Sequence, residues 1–270
     1  MEAKMKRFSI ALTVLILATL LSCATTGPGG KKDFIFISDS QEVGLGQQFD
    51  AQVRSEAKVL ADQQWQNYFN DVGQRVVAVC DRKNIEYHFT VIQSDDINAF
   101  ATPGGYVYIY TGLLKLMESE AELAAVTSHE ISHIVARHGV KRLQQALGLS
   151  VLIELVTGKS DSKTLETAIG IGLSVALSGY SRSNEREADE FGIHYMTQAG
   201  FNPKGAVNMF EHMAAASPGK RNFFENLLAT HPETQERIAN ANAQVGQYSP
   251  DIQSRDLGET RYARMKARLK

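Results

Sequence analysis

Apolar positions along this chain recur mostly at spacings of three and four, the signature of helices that bury one face. Stretches of this kind cover residues 40–61, 65–79, 113–117, 120–137, 183–199, 203–215 and 231–245. Gly139 stands as the terminator of the fourth, and Gly200 with Pro203 closes the fifth. Thr230 and Glu233 have the spacing of a capping box at the start of the last. Two further segments, 143–156 and 165–177, are apolar almost throughout and flank the polar run 158–163. They read as buried helices, with a lid over a cleft or a face resting on a membrane as their other roles. Period-two alternation is confined to 87–92 and to Tyr106, Val107, Tyr108, Ile109 and Tyr110. Residues 98–105 between them have the composition of a turn-rich loop. The pattern predicts an α+β fold, mainly helical, with a small β-sheet and no internal repeat.

The first residues depart from it. Lys4, Lys6 and Arg7 precede an apolar run, 8–21, too short to span a bilayer comfortably. It closes on Leu20, Leu21, Ser22 and Cys23, which resembles a bacterial lipobox. That likeness implies a lipoprotein signal peptide over 1–22, lipidation of Cys23, and a flexible tether over 23–33 rich in glycine. Ala24 after the cysteine favours the outer membrane. A folded domain over 34–250 and a basic tail over 251–270, read as a solvated end, complete the expected order. The net charge of −2 lacks the basic excess of a nucleic-acid-binding protein. With Cys23 lipidated, Cys80 is the only free thiol, and after Val76, Val77 and Val79 it reads as a buried one.

The chemistry concentrates in His129, Glu130, Ile131, Ser132 and His133, an HExxH pattern on a helix. Histidines four apart share a face and can reach one zinc ion, while Glu130 can take a proton from its water. A catalytic zinc wants a third protein ligand. Glu185 and Asp189 are four apart and share a face, whereas Glu187 points away from both. One of the pair can ligate while the other accepts a ring N–H from a ligand histidine. His138, five beyond His133, falls off the metal-facing stripe, and His88, His194 and His212 read as packed or surface residues. Gly104, Gly105 and the strand from Tyr106, with Asn98 and Ala99 before them, read as an exposed edge that pairs with an extended substrate.

HEISH, NAFATPGGYVYIYTGLL and SRSNEREADEFG together resemble the HtpX-like and CAAX-prenyl-protease-related zinc metallopeptidases. The likeness is strongest to the periplasmic lipoprotein members of the BepA and LoiP type, here without tetratricopeptide repeats. It runs from about Glu42 to Glu236 and implies a zincin-like minimal gluzincin domain. It implies one zinc per chain on His129, His133 and Glu185, with Asp189 as the supporting carboxylate and Glu130 as general base. His231, between Thr230 and Pro232, would donate to the oxyanion or latch the open position. The activity implied is endopeptidase action on misfolded or unassembled cell-envelope proteins, in the periplasm, from a lipid anchor. Prenylated substrates do not carry over, since no run of eighteen apolar residues follows the signal. The rival reading is a non-proteolytic envelope assembly factor or chaperone that uses the zinc cleft for binding and has no need of Glu130.

Overall fold

The computed structural model describes residues 23–25, 28–30, 32–157, 160–216 and 235–269. The signal expected over 1–22 and the capping box and His231 near 230–233 lie outside these residues. Two short strands, β1 (Cys23–Thr25) and β2 (Lys32–Phe34), pair antiparallel at the start. Ser38 then opens α1 (Asp39–Glu56) with a capping box to Gln41, and Asp62 caps α2 (Gln63–Val77) through its side chain. The main sheet holds β3 (His88–Ile92), β4 (Ala99–Thr102) and β5 (Tyr106–Tyr110), in the order β3-β5-β4. β3 runs parallel to β5, and β4 antiparallel.

This arrangement corrects the reading of 98–105 as a loop. Ala99 and Ala101 are too small to signal a strand, and they are small because a helix lies on that face of β4. Phe100 points to the opposite face, into a separate cluster with Tyr106 and Tyr108. In this strand order the strand that begins at Tyr106 is central, and β4 lies at one edge.

The helix on that face is α4 (Glu120–Val135), which follows α3 (Thr111–Leu116) and carries the HExxH residues. Nearly every side of it is covered: it lies on α2, the sheet, α8 (Arg182–Gln198) and α9 (Lys204–Ala216). The crossing with α8 is close because position 192 is glycine. A Cβ there would stand 3.1 Å from the His129 backbone nitrogen.

α4 stops at Val135, short of the expected Gly139. The chain reverses at Arg137, whose φ of 53° puts a non-glycine residue in the left-handed region at a cost of roughly 1–2 kcal/mol. The Arg137 side chain offsets that cost: Nε sits 2.8 Å from Glu42 and Nη2 donates to the Ile37 carbonyl at 2.6 Å. Arg82 grips the same Glu42 with both Nη atoms, at 3.0 and 2.9 Å, and donates to the Ile134 carbonyl at 3.1 Å. A cation thus serves the C-terminal carbonyls of the motif helix. Gly139 falls inside α5 (His138–Ala146), where a Cβ would lie 3.4 Å from the Pro103 ring.

The apolar segments form α5, α6 (Leu149–Thr157) and α7 (Ser162–Ala176), which share a second cluster with α1. Ile153 and Leu177 stay exposed there. No described helix is long and apolar enough to cross a membrane. After α10 (Gln235–Val245), the residues expected as a solvated tail instead fold back as α11 (Pro250–Gln253) and α12 (Glu259–Lys266). Tyr262 is fully buried there, its ring edge-on to Trp65 and its hydroxyl donating to the Leu114 carbonyl at 2.7 Å. The basic residues that made the segment look solvated lie around that one anchor, with Lys266 capping the Met117 carbonyl at 2.8 Å.

Candidate metal centre and active site

His129 and His133 project from α4 with their Nε2 atoms 3.1 Å apart. Glu185, in the first turn of α8, reaches between them: Oε2 lies 3.5 Å from His129 Nε2 and Oε1 lies 3.5 Å from His133 Nε2. One donor atom from each residue falls within 4.8 Å of the other two. Ser181 sets the position of Glu185, because its hydroxyl caps α8 by accepting from the Asn184 amide. Two imidazoles and a carboxylate make the donor set of a catalytic zinc with one position left for water. The residues present fit such a metal.

Each histidine is held from behind, and differently. His129 Nδ1 lies 3.0 Å from Asp189 Oδ1, one helical turn beyond Glu185. Arg237, from α10, fixes Asp189 by a two-pronged contact of Nε and Nη2 at 2.7 Å each, and its Nη1 lies 3.1 Å from Glu185. Its guanidinium also lies over the Phe210 ring, 4.9 Å from the centroid. Burial works against the Asp189 carboxylate, but His129 and Arg237 outweigh it and hold its pKa below the ordinary value. Burial likewise pulls His129 down, yet its bonds to Asp189 and Glu185 dominate and raise it to about 10. A metal taking Nε2 therefore displaces a proton.

His133 is fully enclosed. The Tyr180 ring lies flat on it, 4.0 Å between centroids. Its Nδ1 stands 2.8 Å from Nδ1 of His138, whose Nε2 lies 3.2 Å from Glu187. Burial, the largest influence, holds the His138 imidazole below its ordinary pKa against the raising hydrogen bond to Glu187, with Lys141 adding to the lowering.

Glu130 is buried beside His129, and both open onto a partly solvent-open cavity. Its walls are largely apolar, including Ala99, Ala125, Val126, Met209, Phe210 and Met213. The structure thus brings Glu130, His129, His133, Glu185, Asp189 and Ala99 to one place. Asn98 lies at the start of β4, buried, its side-chain oxygen without a hydrogen-bond partner among the described residues. Gly104 and Gly105 sit in the turn after β4, packed on the Glu42 and Glu86 carbonyls, and Tyr106 turns toward the opposite face of the sheet. His88 stacks on Tyr106, and His212 lies 2.9 Å from Glu122.

Arg237, His138 and Glu187 escaped the sequence reading. Arg237 carries no local signal beyond sitting in the helix that His231 was expected to open. His138 reaches His133 because the left-handed Arg137 turns the chain back, where a continued helix would have carried it away. Glu187 does point away from Glu185 along α8, and that direction is where His138 waits.

The sequence model described as Peptidase family M48 matches residues 63–245. The chain is 30% identical over 224 residues to the beta-barrel assembly-enhancing protease of Yersinia pestis, covering 79% of this chain and 46% of that protein. It is 33% identical over 173 residues to the mitochondrial metalloendopeptidase OMA1 of Schizosaccharomyces pombe, 63% of this chain and 50% of that one. Metalloprotease LoiP of Escherichia coli is 29% identical over 153 residues, 56% of this chain and 59% of its own. The chain spans about half the length of the curated relatives it matches.

Proposed function

The chain belongs to peptidase family M48, and from that premise we propose that it is a zinc-dependent endopeptidase acting on misfolded or unassembled cell-envelope proteins. The observation that carries this reading is the convergence of His129, His133 and Glu185 within 4.8 Å, with Glu130 buried beside them at the cavity. One zinc ion held by those three residues would supply Lewis acidity toward a water and the scissile carbonyl. Glu130 takes the proton of the attacking water and returns one to the leaving amine. Asp189 holds His129 with its ring proton on Nδ1, so that Nε2 keeps a free lone pair for the metal. Arg237 keeps both carboxylates charged and in place.

Substrate enters as an extended strand along β4. Tyr110 donates to the Asn98 carbonyl at 3.0 Å, so by antiparallel alternation the main-chain groups of Ala99 and Ala101 point away from β5. Asn98 offers its side-chain oxygen to a substrate amide. A large apolar side chain next to the scissile bond fills the cavity between α4 and α9. Gly104, Gly105 and Tyr106 shape the turn that holds β4 in position. His231 donates to the oxyanion or latches the site, and Cys23 carries the lipid that anchors the enzyme, in the periplasm, to the outer membrane. Envelope substrates are supported by the name of the beta-barrel assembly-enhancing relatives.

The test is cleavage of an unfolded outer-membrane protein by the zinc-loaded chain, beside Glu130→Gln. Cleavage by the unaltered chain alone supports the reading. Equal cleavage by both contradicts it. Binding without cleavage by either favours an assembly factor.

A further inference from the structure

We propose that His138 is a positioning residue for the metal site: with Glu187 behind it, it fixes the tautomer in which His133 can bind zinc. The inference rests on the metallopeptidase reading and adds to it. His133 turns Nε2 toward His129 and Glu185, 3.1 and 3.5 Å away. An imidazole that gives this nitrogen's lone pair to a metal carries its proton on Nδ1. That proton needs an acceptor in a site with almost no solvent, and His138 Nδ1 stands 2.8 Å away, placed to accept it. An accepting Nδ1 in turn places the His138 proton on Nε2, which donates to Glu187 across 3.2 Å. One arrangement of protons satisfies all three residues: Glu187 accepts from His138, His138 accepts from His133, and His133 Nε2 carries no proton.

The surroundings agree. His138 is 1% exposed, shut away from solvent that would compete for either of its ring nitrogens. The backbone that delivers it turns at Arg137, in the left-handed region, and is held there by Glu42. The tautomer favoured by a free imidazole, with the proton on Nε2, would block metal binding; here it would set two acceptors, His133 Nδ1 and His138 Nδ1, against each other. Both ligand histidines therefore end on a carboxylate of α8: His129 directly on Asp189, and His133 through a second histidine on Glu187.

The test is zinc affinity of the full chain by competition with a chelating dye, with visible spectra of the cobalt-loaded protein. His138→Leu keeps the bulk and removes the acceptor, and zinc affinity is expected to fall about 10–100-fold, with altered cobalt bands. His138→Asn places an amide oxygen where Nδ1 stands, and is expected to recover most of that loss. Equal weakening by Leu and Asn, or zinc binding by His138→Leu as tight as that of the unaltered chain, overturns the proposal. Should His138→Leu fail to fold, Glu187→Leu carries the test, with weaker zinc binding expected and unchanged affinity fatal. A chain that binds no zinc with His138 intact overturns the metallopeptidase reading itself. A zinc-binding chain indifferent to these substitutions overturns only this inference.

Discussion

The two histidines of the motif are four residues apart on one helix and occupy opposite kinds of surroundings. The His129 side is the working side: it meets the cavity, shares it with Glu130, and is backed directly by Asp189 and Arg237. The His133 side is walled in by Tyr180, by His138, and by the knot in which Glu42 gathers Arg82 and Arg137. The difference teaches that equal spacing sets equal reach and nothing more. What lies behind each ring decides which end of the motif meets the cavity and which end is enclosed.

Substitutions on the two sides are expected to differ in what they damage. The largest effect is expected on the working side. Glu130→Gln keeps shape and metal but removes the base, so cleavage falls about 10²–10⁴-fold with zinc content unchanged. On the walled side the largest effect is on stability. Glu42→Ala leaves two buried guanidinium groups facing each other, and thermal or urea unfolding should show a loss of about 3–5 kcal/mol. Asp189→Ala returns to the working side. It removes the acceptor behind His129, and zinc affinity measured by chelator competition should fall about 10–100-fold.

A further effect is graded with pH and runs in opposite directions at His129 and Asp189, both on the working side. The His129 pKa stands near 10, above its ordinary 6.5. Its contribution to the metal-free fold is therefore complete below about 6.5 and lost as pH climbs through about 10. Zinc must displace that proton, so apparent zinc affinity should rise about tenfold per pH unit between 7 and 10. Calorimetry in buffers of different ionisation heat counts the proton released. Asp189 works in the opposite sense: its pKa is depressed, so its contribution is present above the ordinary carboxylate value and lost in acid.

How much of this was legible in the sequence depended on whether the partners share an element. His129 with His133, and Glu185 with Asp189, are i, i+4 pairs, and a helix delivers them to one face whatever surrounds it. The helices and the two alternating strands follow from periodicity in the same way. β4 was hidden because Ala99, Phe100, Ala101 and Thr102 carry no strand signature of their own and are strand by virtue of β5 beside them. The end of α4 was hidden because Arg137 adopts a conformation sequence assigns to glycine, and the reason lies about a hundred residues earlier at Ile37 and Glu42. Arg237, His138 and Glu187 depend on how helices cross, which no local pattern records. Tyr262 looked like part of a polar tail for the same reason.

The central claim is that His129, His133 and Glu185 hold one zinc ion. X-ray absorption at the zinc edge of the purified chain tests it directly, read together with zinc content per chain. The account predicts one zinc per chain, two imidazole nitrogens and light oxygen neighbours at about 2.0–2.2 Å, and loss of one imidazole shell in His133→Ala. A sulfur neighbour, a shell indifferent to His133→Ala, or no stoichiometric zinc would contradict it.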